Sequence, residues 1–208
     1  MFTFVTLLVL GILLGIVLMQ LFKKQPPAPA VPAADLSHLK VTDARAGDAI
    51  SISGAGQNYT DLDFTADRLT RCQAGARRWF ELSGPYLERR VAVRVGGDDE
   101  VEVSLQSDPR KLTIEELGLA EEDLAEMDGR QNTADSFEFD GKVWMYRLSR
   151  EAQATRDDQA APTGFYYWEF QEQNGKGLIA LRKTEGEPFA VTLYTGIAAS
   201  DVTIYRAS

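Results

Sequence analysis

FEFDGKVWMYRL, residues 137–148, alternates bulky apolar side chains with other residues on both sides of an Asp140-Gly141 dipeptide. Period-two alternation places one face of an extended chain in a core, and Asp-Gly supplies the positive φ angles of a tight turn, so this stretch reads as a β-hairpin. The densest aromatic run, Phe165-Tyr166-Tyr167-Trp168-Glu169-Phe170, lies just downstream. As a strand it turns Phe165, Tyr167 and Glu169 one way and Tyr166, Trp168 and Phe170 the other, and most of it should be core. Asn174-Gly175 turns it into Leu178-Ile179-Ala180-Leu181, and strand-like runs follow at 189–194 and 202–205.

Upstream, Arg78-Trp79-Phe80-Glu81-Leu82 is bounded by Ser83-Gly84-Pro85, which reads as a turn. Val91, Val93 and Val95, then Val101, Val103 and Leu105, alternate on either side of an acidic glycine loop. They predict a second hairpin with one face core and the other wet. Ala49-Ile50-Ser51-Ile52 adds a short strand, and Trp79-Phe80-Glu81-Leu82 echoes Tyr167-Trp168-Glu169-Phe170 as in a duplicated β unit. Thr113-Ile114-Glu115-Glu116 is a capping box. With Ile114, Leu117, Leu124 and Met127 as its apolar stripe, it predicts one short helical region over 113–127, bent at Gly118. Residues 149–164 are polar and alanine-rich, lack a clear period, and read as a long exposed loop. The fold class is therefore mainly β: antiparallel sheets in a sandwich or barrel-like arrangement with one short helical region.

Residues 1–22 contain no charged side chain, and Lys23 and Lys24 follow at once. As a helix this run reaches about 33 Å, enough to cross a bilayer core, and the lysines place the C-terminal side in the cytoplasm. The expected organisation is a transmembrane anchor at 1–24, a Pro/Ala-rich linker at 25–38 and a β-rich cytoplasmic domain at 39–208, held at a cell inner membrane by a single pass. A cleaved secretory signal is the competing reading, since Ala28-Pro29-Ala30 imitates a cleavage site; the missing n-region charge and the length of the run favour an anchor. Gly11 and Gly15 share one helix face and offer a surface for self-association.

With 22 Lys and Arg against 31 Asp and Glu, the chain carries a formal charge of -9, which argues against a nucleic-acid partner. The lone cysteine, Cys72, can form no internal disulfide and reads as a small buried hydrophobe; the lone histidine, His38, reads as a surface residue. Evenly spaced Asp61, Asp63 and Asp67 lack the glycine and glutamate of a calcium loop and read as a solvated strand face. No catalytic residue, cofactor or metal is expected, because none of the short hydrolase, nucleotide or zinc motifs is present.

The segments FEFDGKVWMYRL (137–148), FYYWEF (165–170), GLIALRK (177–183), DVTIYR (201–206) and WFELSG (79–84) resemble a bacterial family known as domain of unknown function four-one-seven-eight. The resemblance implies a β-rich module and no catalytic residues; some such modules are encoded beside membrane proteins, phage-shock-type proteins or spermidine-synthase-like enzymes. The leading functional expectation is a membrane-tethered, non-catalytic binding or scaffold module with a membrane-associated protein partner. Candidate ligand or partner residues are Tyr166, Trp168, Glu169, Trp79 and Glu81. Two alternatives stand beside it: aromatic faces and carboxylates recognising a polyamine or other organic cation in an accessory protein of polyamine metabolism, and an enzyme using Glu81 and Glu169 as an acid-base pair.

Overall fold

Period-two alternation becomes strand at each hairpin that carries it, and strand also forms at one stretch that does not. The structure, a computed structural model, describes residues 39–97, 100–106, 108–159 and 161–206. The apolar run 1–22, its Gly11 and Gly15 face, the linker and His38 lie outside the described residues. Within the described residues, no helix is long and apolar enough to cross a membrane.

In chain order the strands are β1 (Ala49–Ile52), β2 (Leu62–Thr65), β3 (Arg68–Ala74), β4 (Arg77–Tyr86), β5 (Arg89–Gly96) and β6 (Glu102–Gln106). The α-helix α1 (Glu121–Arg130) follows, and then β7 (Ser136–Phe139), β8 (Lys142–Arg156), β9 (Thr163–Glu172), β10 (Gly177–Lys183), β11 (Ala190–Ile197) and β12 (Val202–Tyr205). Their order in the large sheet is β3-β4-β5-β6-β11-β10-β9-β8, and β8 pairs back onto β3. Every ladder is antiparallel, so the sheet closes into an eight-stranded barrel. β7 pairs with the first part of β8, and β12-β1-β2 form a separate three-stranded sheet.

Closure depends on residues whose pattern reads as loop. Gln153 to Arg156 of β8 pair with Gln73 to Thr70 of β3, and the same half of β8 pairs with the start of β9. The apolar positions here are alanines: Ala152 stands opposite Phe165 and Ala154 opposite Cys72, where small side chains suit the large ring and the neighbouring strand. Alanine gives almost no periodic signal, which is why the expectation of an exposed loop over 149–164 fails.

Two further expectations shift. The turn expected at Ser83-Gly84-Pro85 is strand, and the chain reverses later, at Leu87, with φ 52°. Gly84 serves a close approach instead: a Cβ there would lie 2.1 Å from the Thr65 carbonyl oxygen of β2. The Thr113 capping box does form, with Thr113 N–H donating to Glu116 Oε2 at 2.8 Å, but it closes only a turn. Gly118, at φ +75°, ends that turn, and α1 begins at Glu121 with the Asp123 carboxylate accepting from Ala120 N–H at 2.8 Å.

Both outer faces of the barrel are apolar and covered. Leu69, Leu82, Val91, Val93 and Leu105 pack against Ile50, Ile52, Leu62, Phe64 and Ile204 of the small sheet. Trp144, Tyr146, Trp168, Phe170 and Ile179 pack against Ile114, Leu117, Leu124 and Met127. The hydrophobic effect thus fastens the sheet and α1 onto the outside of the barrel, leaving the inward positions free for other chemistry.

Candidate functional site

Register determines what faces the lumen. Glu81 stands opposite Arg94, Trp79 opposite Gly96, Arg94 opposite Ser104, Tyr167 opposite Arg182, and Glu169 opposite Ala180. Directly opposed residues share a sheet face, so these side chains all point inward. The face expected to be wet is in fact enclosed. Closure removes it from bulk water, and the polar residues along it bond to one another.

Two ion pairs cross the lumen. Arg94 of β5 donates from Nη2 to Glu169 Oε2 of β9 at 2.7 Å and from Nη1 to the Tyr167 hydroxyl at 2.8 Å. Arg182 of β10 donates to Glu81 of β4. In the circular order β5 lies four strands from β9, and β4 four strands from β10, so each pair joins opposed walls. Each glutamate also accepts from the aromatic residue two positions before it: Trp79 Nε1 to Glu81 at 3.1 Å, and the Tyr167 hydroxyl to Glu169 at 2.5 Å. The Trp79 and Tyr167 rings lie 4.9 Å apart, with the Arg94 guanidinium 4.8 Å from the tryptophan centroid. The sequence echo therefore becomes two inward aromatic-x-Glu motifs. The two motifs stand on the second strands of two four-strand meanders, β3–β6 and β8–β11, which meet edge to edge at β6–β11 and at β3–β8.

Toward one end of the barrel the network reaches solvent. Arg77 Nη1 lies 3.0 Å and Arg147 Nη1 3.2 Å from Glu169 Oε1. That oxygen is buried and receives no aligned N–H, so the two contacts are attraction between charges without a directed hydrogen bond. The other Nη of each guanidinium lies 3.2 Å from Glu102, Arg77 at Oε2 and Arg147 at Oε1. Arg147 reaches this point because it is the extra residue of a β-bulge between Tyr146 and Leu148.

Burial alone pushes the Glu169 carboxyl upward, but the charges of Arg94 and Arg77 and the bond from Tyr167 outweigh it and hold the group below the usual carboxylate range. The Glu81 carboxyl is likewise pushed up by burial and brought below its ordinary value by Arg182, Arg94 and Trp79. Burial lifts the Tyr167 hydroxyl well above its ordinary value, and lifts the Cys72 thiol to about 12. Both glutamates are therefore anions at neutral pH, and Cys72 is a neutral thiol.

Of the five sequence candidates, Trp79, Glu81 and Glu169 meet in the lumen. Tyr166 and Trp168 lie on the opposite face, where the Tyr166 hydroxyl donates to Asp128 at 2.7 Å and Trp168 Nε1 to the Leu124 carbonyl at 3.3 Å. They tie α1 to the barrel. Asp67 of the evenly spaced acids pairs with Arg90. The arginines are what sequence reasoning missed. Arg94 sits in phase with Ala92, away from Val91, Val93 and Val95, and Arg182 in phase with Ala180, away from Ile179 and Leu181, positions that look solvent-facing until the barrel closes. Comparison with protein-family models, with curated proteins and with solved structures finds no match for this chain.

Proposed function

We propose that this chain is a membrane-tethered, non-catalytic binding or scaffold module whose barrel, braced from within by a fixed polar framework, engages a partner at the membrane. The observation that carries the reading is that the lumen's carboxylates are committed to arginines across the barrel. A general acid at neutral pH needs a raised carboxyl pKa, whereas Glu81 and Glu169 are both held low, so the acid-base alternative has the weaker support. The organic-cation alternative is weakened in the same way, because Arg94 already lies over the Trp79 ring and against Glu169. The tether and the cytoplasmic side rest on the uncharged run 1–22 and on Lys23 and Lys24.

A site-specific photo-crosslinker in the exposed β4–β5 turn of the full-length chain, activated in intact membranes, tests this reading. The same membrane protein should be captured repeatedly, and capture should depend on residues 1–24. A reporter joined after Ser208 should be shielded from external protease. Efficient export of that reporter, or capture indifferent to deletion of the anchor, overturns the proposal.

A further inference from the structure

Arg77 and Arg147 at the barrel mouth are arranged in an unusual way. Each guanidinium is shared between a buried carboxylate beneath it, Glu169, and an exposed one above it, Glu102. Side-chain exposure rises through this stack, from 0% at Glu169 and 10% at Arg77 to 33% at Arg147 and 54% at Glu102. Glu102 straddles the two guanidiniums with one oxygen on each, as an incoming carboxylate ion would. It is the first residue of β6, next to the glycine-containing loop.

Beside it opens a cleft of about 300 Å³ lined by Arg77, Arg94, Arg147, Lys176, Gln171 and Ser104. Glu102 is the one acid among the described residues that line this cleft, against three arginines and Lys176, and Glu169 lies behind the arginines. In a chain of formal charge -9, such a concentration of cations is a local reversal of sign. Glu169 Oε1, buried and without an aligned donor, holds Arg77 and Arg147 in place from below without saturating their N–H groups. Guanidiniums fixed in this way have little side-chain freedom left to lose when an anion arrives, which favours binding.

We propose that this mouth is a binding site for a small organic carboxylate, and that Glu102 is its built-in occupant, displaced when the ligand enters. A carboxylate reproduces both Glu102 contacts, one oxygen per guanidinium, while Leu178 and the exposed Val101 line the cleft with apolar surface for the carbon skeleton. A half-exposed ion pair at a rim contributes little to stability, so its exchange for a ligand costs the fold little. The inference deepens the binding-module reading and rests on it, but it involves neither the anchor nor a protein partner.

The test is calorimetric titration of the full-length chain in detergent with citrate and, in parallel, with inorganic phosphate. Glu102→Gln removes the competing charge and should bind citrate roughly tenfold more tightly than the parent, as expected for one charge-assisted contact released. Arg147→Gln should weaken citrate binding at least about tenfold, and Arg71→Gln, which alters an exposed pair with Asp157 on β3, should change nothing. Thermal melts of the variants confirm that each is folded. No citrate binding by the parent or by Glu102→Gln, or binding indifferent to Arg147→Gln, overturns the site. Tighter binding of phosphate than of citrate by Glu102→Gln overturns the carboxylate assignment. Either failure leaves the crosslinking result standing, so the two readings fail separately.

Discussion

Strand β9 lines two interiors of opposite character with alternate residues. Its outward set, Tyr166, Trp168 and Phe170, joins an apolar core under α1, whereas Phe165, Tyr167 and Glu169 enter a lumen crossed by arginines. The outward face is held by transfer of hydrocarbon from water, which is non-directional and tolerates change of shape better than change of polarity. The inward face is held by partners that must all be present, because a buried charge that loses its counter-ion keeps its desolvation cost. One strand therefore shows two ways of filling an interior, with different sensitivities to mutation and to pH.

The most damaging single change should be Glu169→Gln, which keeps the shape but leaves Arg94 and Arg77 buried without their shared anion. Breaking such a network typically costs about 3 to 5 kcal/mol. The urea midpoint of the full-length chain in detergent should fall accordingly, and a loss under about 1 kcal/mol would mean that the lumen is wetter than its burial indicates. Trp168→Ala on the other face should cost a similar ~3 to 5 kcal/mol through lost transfer energy and a cavity. Trp168→Phe should stay nearer ~1.5 kcal/mol, since most of the ring survives and only the Leu124 hydrogen bond is lost. Equal losses for the two Trp168 variants would contradict an apolar packing role.

Gly84→Ala probes where the small sheet meets the barrel. The added methyl would collide with backbone at Thr65, so the sheet must shift, at about 1 to 3 kcal/mol by the usual cost of overpacking. Proteolysis should then begin within β1 or β2 while the barrel ladder stays protected from hydrogen exchange. Simultaneous loss of protection in both would show that sheet and barrel unfold as one unit.

Acid gives the smallest effect and separates the two faces most cleanly. Glu81 and Glu169 have folded pKa values below their unfolded ones, so their contribution is complete above the unfolded carboxylate value of about 4.3 and is lost as pH falls through the folded values. The melting midpoint should be level from about pH 7 to 5.5 and fall below about pH 4.5. Trp168→Ala should follow the parent's pH profile at a lower midpoint, and Glu169→Gln should show a shallower acid fall. A midpoint that rises on acidification would reverse the assignment of Glu81 and Glu169 as arginine-held anions.

Much of the strand content was legible because Val, Ile and aromatic residues alternate around turn residues of the right kind. Asp140 and Gly141, for example, both take the positive φ that their dipeptide signals, at 51° and 70°. The second half of β8 was not legible, because Ala152 and Ala154 carry too little hydrophobic contrast to mark a period. The site was half legible. Trp79, Glu81 and Glu169 stood out as rare residues in strong strands, while Arg77, Arg94, Arg147 and Arg182 looked like ordinary solvent-facing charges.

What the chain's own residues determined is local: which stretches extend, where hairpins turn, and which side chains share a face, all of it set by backbone sterics and period-two geometry within a few residues. Which face is inside was decided only by tertiary structure. Pairing of β8 with β3 joins residues 80 to 86 positions apart and turns a polar face into a lumen. The small sheet and α1 then cover the apolar face, because closure leaves it no other way to leave water.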